Sequence, residues 1–256
     1  MAKAASAGHR VVLVTATRGE LGEPVEGVLA EGEALWERRV AETYRSAEIL
    51  GADRVEFLGY EDSGMIGETT NDNPACFWRA DVEEAAEKLA ALLREVDADV
   101  LTIYDDHGGY GHPDHIQVHR VGKRAAELSG VQRVFQTTMN RDRIKAMMSA
   151  SQDLLGEEAD KMLPDEERQR MQDRADADDF GSPEALITHA IDVTAHIGTK
   201  RQSMEAHQSQ ISAESFFMAM PAEAFEMAFG TEWFIELGAT RSGGDAFGGD
   251  LFDGLG

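Results

Sequence analysis

The chain has 256 residues, of which 42% are hydrophobic, enough for one large domain or two small ones with a proper core. Asp and Glu number 48 against 24 Lys and Arg, so the acidic surface should repel nucleic acid and anionic membrane surfaces. No apolar run approaches the ~20 residues of a membrane span, and the N-terminus lacks the features of a signal peptide. The single cysteine, Cys76, excludes an intramolecular disulfide and a cysteine-based zinc site, so we expect a cytoplasmic protein.

The N-terminal half alternates between helix and strand patterns. Residues 1–7 are typical of the end of a helix that stops at Gly8, and residues 11–15 (VVLVT) predict a buried strand. A helix over residues 32–50, a strand over 54–58, a helix over 81–96 and a strand over 99–104 follow. This alternation predicts an α/β fold built from βαβ units around a parallel sheet.

The C-terminal half carries further strand patterns at residues 134–138, 185–193 and 233–237. Between the first two, the acidic stretch of about residues 150–180 predicts a helical insertion or lid; a surface elaboration without a chemical role is the alternative. The glycine-rich, acidic residues 241–256 predict a disordered tail. We therefore expect one domain over residues 1–240.

The richest cluster of chemically active side chains is YDDHGGYGHPDH, residues 104–115, which holds three histidines and three aspartates. It follows the strand at 99–104, and α/β folds bind their ligands beyond the carboxyl ends of strands. Histidine is both the commonest metal ligand and the usual acid or base near neutral pH. His112 and His115 therefore predict half of a metal site, and no second cluster in the sequence completes it.

The segment GGYGHPDH, residues 108–115, resembles the second signature of the PIG-L (LmbE-like) zinc-dependent N-deacetylases. Further matches are TRGE at 17–20, RVAE at 39–42, DSGM at 62–65 and AHQSQ at 206–210. The resemblance covers nearly the whole chain and is strongest to the mycothiol branch, which comprises the deacetylase of N-acetylglucosaminyl-inositol and the mycothiol conjugate amidase. It implies a Rossmann-like three-layer sheet and a small-molecule N-acylated amino sugar as substrate, and it leaves assembly into a homo-oligomer open.

The resemblance also implies roles for individual residues of the loop. His115 would be a zinc ligand, and His112 would polarise or protonate the reacting amide. Asp114 would orient the catalytic groups, and the Tyr110 hydroxyl would stabilise the oxyanion.

Three residues outside the loop would line the sugar pocket by the same resemblance. Arg39 and Asp62 would bond substrate hydroxyl groups, and Met65 would lie beside them. The alternative substrates of the same fold, such as chitooligosaccharides or an antibiotic precursor, need only a different pocket shape.

One family signature is missing. The family's AHPDDE string, which supplies a His and an Asp to zinc together with the general-base Asp, is absent, and with it the family's first strand. The zinc site of this chain is therefore expected to be incomplete and its activity impaired. Two hypotheses follow: a zinc-dependent hydrolase whose natural start lies upstream of Met1, or a non-catalytic or sugar-binding homologue.

Several other polar residues have plausible but lesser roles. His119, one helical turn beyond His115, could reach a metal, although a structural role is the alternative. We expect Asp105 and Asp106 to form turns rather than to assist a metal, His207 to pack the C-terminal region over the pocket, and His189 to lie on the surface.

Overall fold

The computed structural model describes residues 1–155 and 180–255. The helices there are α1 (Ala2–Ser6), α2 (Leu35–Leu50), α3 (Val82–Glu95), α4 (Gly108–Gly111), α5 (Pro113–Ser129), α6 (Arg141–Leu155), α7 (Ile197–Glu205), α8 (Phe216–Ala219) and α9 (Ala222–Phe229). The strands are β1 (Val12–Thr15), β2 (Arg54–Phe57), β3 (Val100–Tyr104), β4 (Arg133–Thr138), β5 (His189–Asp192) and β6 (Thr231–Glu236). The predicted α/β class is confirmed. No helix within these described ranges is long and apolar enough to cross a membrane.

The chain divides into two compact units, Met1–Leu89 with Asp192–Thr231, and Ala90–Ile191 with Glu232–Gly256. The prediction of one domain over residues 1–240 stays a prediction. The predicted insertion at about 150–180 lies mostly outside the described residues, since α6 is described only as far as Leu155.

The first unit is built around a βαβ motif. Strands β1 and β2 pair in parallel, with Val12 opposite Arg54 and Thr15 opposite Phe57. Helix α2 connects them and ends at Gly51, which has φ 73°, a left-handed conformation that costs glycine little. Helix α7 packs along α2.

The second unit contains a four-stranded sheet in the order β3-β4-β6-β5. Strands β3 and β4 are parallel, but β6 runs antiparallel to β4. The predicted parallel sheet is therefore mixed in this unit, since β6 is antiparallel to its neighbour. An apolar strand pattern carries no direction, and α/β sheets commonly include one antiparallel strand.

Helix α5 lies close against β3 because Gly122 has no side chain. A Cβ atom on Gly122 would lie 2.4 Å from Ile103 Cγ2. Around this contact Ile103, Ala126 and Val134 form a buried core cluster. The packing fixes the first turn of α5 relative to the carboxyl end of β3, where the histidine-rich loop begins.

The C-terminal residues 241–255 are anchored, whereas the sequence predicts disorder. Arg241 donates from Nε to Ile187 O at 2.8 Å and stacks on Phe247 at 4.0 Å. Gly248 bridges to His189, whose ring also meets Phe135 edge-on at 5.0 Å. His189 is consequently only 8% exposed, so its predicted surface position was wrong; a glycine-rich composition conceals the few side chains that hold such a segment.

Candidate active site

The histidine-rich loop folds into a tight turn at the carboxyl end of β3. The four residues of α4 are interrupted by Gly109, with φ 74° and ψ −55°, a conformation available almost only to glycine. Helix α5 then begins at Pro113, whose fixed φ suits the first helical position, and His112 is its N-cap. The loop therefore holds its side chains on a defined backbone.

His112 caps helix α5 through its ring. The Nδ1 atom accepts a hydrogen bond from the backbone N–H of Asp114 at 3.1 Å. An accepting nitrogen carries no proton, so the proton of the neutral ring is on Nε2. His112 thus presents an N–H donor rather than a lone pair at its outer nitrogen.

His115 has the opposite arrangement. Its Nδ1 lies 3.2 Å from the carbonyl oxygen of Gly108, which can only accept, so Nδ1 carries the proton. In this tautomer the Nε2 lone pair is the one able to take a metal ion. The two rings lie 4.9 Å apart, which brings a proton donor and a metal-type ligand side by side.

Aromatic rings surround His115. Tyr104 is stacked on it with centroids 4.0 Å apart and planes within 4° of parallel. Tyr110 meets His115 edge-on at 5.1 Å and His112 at 6.2 Å, and its own side chain is 44% exposed. Tyr110, His112 and His115 therefore lie side by side, while their predicted roles stay predictions.

Asp114 lies in the first turn of α5 and is only 6% exposed. A carboxylate there interacts favourably with the positive end of the helix dipole. Its predicted role in orienting catalytic groups stays a prediction.

The donors around the loop do not make a complete zinc site. Within residues 1–155 and 180–255, no three His, Cys, Asp or Glu side chains are close enough together to hold a metal ion. A structural zinc needs four protein ligands and a catalytic zinc three. His115 has the tautomer of one such ligand, but the described side chains do not supply the others.

His119, one helical turn beyond His115, is packed against the end of β3. It is 8% exposed, and its Nδ1 donates to the carbonyl oxygen of Tyr104 at 3.1 Å. Burial lowers the pKa of His119. The burial of His119 favours the structural role that the sequence left as an alternative; the hydrogen bond does not decide, because it gives His119 the same tautomer as His115.

Asp105 is a residue whose importance the sequence does not reveal. It is 1% exposed and accepts hydrogen bonds from the backbone N–H of Gly109 at 2.6 Å and the Thr138 hydroxyl at 2.7 Å. The ring of His107 lies between the two aspartates, donating from Nδ1 to Asp106 at 2.8 Å. Asp105 therefore ties the loop to β4, a contact that no local pattern can indicate because Thr138 is 33 residues away.

In the first unit, two of the predicted pocket residues, Arg39 and Asp62, form hydrogen bonds to the loop that contains Gly19 and Leu21. Arg39, on α2, donates to the carbonyl oxygen of Gly19 at 2.9 Å. Asp62 is 8% exposed and accepts from the backbone N–H groups of Gly64 at 2.9 Å and Leu21 at 3.4 Å. Met65, the residue after Gly64 in the chain, is 40% exposed.

The AHQSQ stretch is fixed to α2 by a buried carboxylate. Glu42, which is 6% exposed, accepts from the backbone N–H of Ser209 at 2.8 Å and from its hydroxyl at 2.6 Å. His207 is half-buried, and burial lowers its pKa. The predicted role of His207 in packing the C-terminal region over the pocket stays a prediction.

Comparison with known proteins identifies the family. Residues 1–126 match the family model described as "PIG-L: GlcNAc-PI de-N-acetylase". The 1D-myo-inositol 2-acetamido-2-deoxy-alpha-D-glucopyranoside deacetylase of Thermobifida fusca is 38% identical, over 98% of this chain and 92% of that protein.

Solved structures share the fold at lower identity. The A40926 pseudoaglycone deacetylase has a TM-score of 0.56 and 16% identity, covering 94% of this chain and 90% of that one. The zinc-inhibited form of teicoplanin deacetylase has a TM-score of 0.55 and 14% identity, covering 95% of this chain and 92% of that one. These two structures show the shared fold. The match to the family model and the near full-length similarity to the Thermobifida protein show that the chain belongs to the PIG-L family of N-deacetylases.

Proposed function

We propose that this protein hydrolyses the N-acetyl group of a glucosamine-type small molecule, with N-acetylglucosaminyl-inositol or a mycothiol-like conjugate as the substrate. The observation that carries the proposal is the pair of opposite tautomers at His112 and His115. Support for the substrate class comes from the name of the Thermobifida relative. The lone buried thiol, Cys76, is consistent with our proposal of a cytoplasmic protein.

The loop residues are suited to stabilise the charge that develops during amide hydrolysis. Water adds to the carbonyl carbon and gives up a proton, so negative charge develops on the carbonyl oxygen; the C–N bond then breaks as the amine nitrogen takes up that proton, leaving the carboxylic acid and the free amine. The neutral ring of His112 would donate a hydrogen bond from its Nε2–H to that oxygen and so polarise the carbonyl group. The hydroxyl of Tyr110, a residue that is 44% exposed, would be a second donor to the oxygen.

The remaining site residues would position these groups and the sugar. Asp114 would orient the loop side chains, and Arg39 and Asp62 would bond sugar hydroxyl groups, with Met65 packing beside them. A carboxylate has about four acceptor positions, so the two backbone bonds that Asp62 accepts leave capacity for a hydroxyl group.

Among the described residues, His115 is the one that we propose as a zinc ligand. A bound zinc ion activates water and polarises carbonyl groups in hydrolases of this type. The Nε2 of His115 would be one ligand, and the other ligands are not supplied by the described residues.

A second candidate function is binding of an N-acylated amino sugar without catalysis. The lack of a three-donor cluster within residues 1–155 and 180–255 favours it, because one histidine alone holds zinc weakly. Arg39, Asp62 and Met65 would then be the functional residues.

One experiment on the full-length chain separates the two candidates. Purified protein would be assayed for zinc content, for binding of N-acetylglucosaminyl-inositol and for release of its free amine. Deacetylation predicts turnover that falls by about 10²- to 10⁴-fold in His112→Ala, while His9→Ala, at an exposed histidine, retains it. Binding without amine release would support the second candidate, and neither binding nor release would contradict both.

A further inference from the structure

One peptide group connects the buried Asp105 carboxylate to the imidazole of His115. The N–H of Gly109 donates to Asp105 Oδ1 at 2.6 Å. The carbonyl oxygen of Gly108 accepts from His115 Nδ1 at 3.2 Å. These two groups belong to the same peptide unit, and in a trans peptide they point in opposite directions.

The geometry therefore points to Asp105 as a positioning residue for His115: its carboxylate fixes the 108–109 peptide plane and thereby holds the His115 proton on Nδ1. The importance of the His115 tautomer for catalysis rests on the proposed function, but the effect of Asp105 on that tautomer does not. Nothing in the reaction chemistry described above uses Asp105.

The orientation of this peptide depends on outside support. Gly108 and Gly109 have φ values of 67° and 74°, and glycine at positive φ has broad conformational freedom. Without a fixed partner the 108–109 plane could rotate and turn its carbonyl oxygen away from His115. The carboxylate supplies that partner, since hydrogen bonds to ionised acceptors are stronger than neutral ones.

The carboxylate is itself held in place. Its Oδ2 atom accepts the hydroxyl of Thr138 on β4 at 2.7 Å, and that hydroxyl lies 3.0 Å from the hydroxyl of Ser182. Asp105 is thus fixed from the sheet side, and the loop takes its orientation from it.

The arrangement also affects the electronic state of His115. Hydrogen bonds in a chain polarise one another, so a negative carboxylate on the N–H side makes the carbonyl oxygen a better acceptor. A metal-binding histidine typically donates its other ring nitrogen to a carbonyl or carboxylate, which sets its tautomer and raises its basicity. Here the carboxylate would act through an intervening peptide.

The test is nitrogen-15 NMR of the His115 ring in full-length protein without metal or substrate, at a pH where imidazoles are neutral. Asp105→Asn removes the charge with little change in shape, and Asp106→Asn is the matched control, because Asp106 is the exposed neighbour that bonds His107 instead. We expect the ratio of the Nδ1–H to the Nε2–H tautomer of His115 to fall by about tenfold in Asp105→Asn, a loss in keeping with a weakened charged hydrogen bond. The control should match the unmodified protein.

An unchanged His115 tautomer in folded Asp105→Asn would overturn the inference, because a purely stabilising role for Asp105 predicts that result. If Asp105→Asn does not fold, hydrogen exchange in the unmodified protein decides: protected Gly109 N–H and His115 Nδ1–H support the inference, and rapid exchange of either contradicts it. Neither readout involves turnover. A chain that lacks deacetylase activity but shows the tautomer change would therefore refute the proposed function alone.

Discussion

The phenol ring of Tyr104 lies parallel to the imidazole ring of His115, with 4.0 Å between their centroids. Tyr104 is the last residue of β3, and His115 is in the first turn of α5. The contact therefore joins the end of a strand to the start of the helix that follows it. Together with the hydrogen bond to Gly108, it restricts His115 to one ring plane and one tautomer.

The first prediction concerns alkaline stability. Burial raises the pKa of Tyr104 to about 12, whereas an unfolded tyrosine titrates near 10. Between those values the folded state binds more protons than the unfolded state, so stability falls as the pH rises through this window. The free energy of unfolding would be measured in urea at pH 9 and at pH 12. Tyr104→Phe keeps the stacking ring but has no phenol to titrate, so its loss of stability between the two pH values should be smaller than that of the unmodified protein by up to about 2 kcal/mol. Equal losses of stability in the two proteins would mean that burial does not raise the pKa of Tyr104.

The second prediction concerns the close approach of Gly108 to α5. A Cβ atom there would lie 2.8 Å from His115 Cβ and 2.8 Å from the Ile116 nitrogen, at a φ of 67°. Gly108→Ala should therefore displace His115. It should also lower the free energy of unfolding by about 1–2 kcal/mol, because a non-glycine residue is unfavourable in the left-handed conformation. We expect amine release to fall at least about tenfold per folded molecule, as expected when a site residue is misplaced by about 1 Å.

The matched control is Gly130→Ala at the other end of α5. Gly130 has φ 80° and no atom within 4 Å of its hypothetical Cβ. It should lose a similar ~1–2 kcal/mol in urea unfolding through backbone strain alone and keep its turnover. Equal turnover in both variants would mean that Gly108 has only a backbone role.

Features of the fold that depend on neighbouring residues could be predicted from the sequence, whereas features that depend on contacts between distant residues could not. The end of α2 at Gly51 follows from glycine's tolerance of positive φ, and the loop histidines follow from their position after an apolar strand. The direction of β6 and the bond between Asp105 and Thr138 depend on residues far apart in the chain, which no periodicity reveals. For the same reason Asp105 looked like an ordinary turn residue.

The third prediction concerns the buried carboxylate of Glu42. It accepts two hydrogen bonds from Ser209, and replacing it removes a charged acceptor from a buried position. Glu42→Gln should lower the free energy of unfolding by about 1.5–3 kcal/mol, measured in urea. Glu48→Gln on the same helix breaks only an exposed pair with Arg45 and should cost at most about 1 kcal/mol. Similar losses in the two variants would argue against the Glu42–Ser209 link as a main anchor of the AHQSQ stretch.

The fourth prediction separates two adjacent arginines of α2. Arg39 holds the carbonyl oxygen of Gly19 and is proposed to bond the substrate, whereas Arg38 forms an ion pair with Glu33 at 2.7 Å. A substrate contact that is equally strong in the ground and transition states affects KM but not kcat. Arg39→Ala should therefore raise KM by about 10- to 100-fold, the equivalent of one charged hydrogen bond, with kcat nearly unchanged. Arg38→Ala should leave both constants unchanged, because a partly exposed ion pair is worth about 1 kcal/mol or less of stability and does not bear on binding. A normal KM in folded Arg39→Ala would remove Arg39 from the sugar pocket and leave it only the task of holding the Gly19 loop.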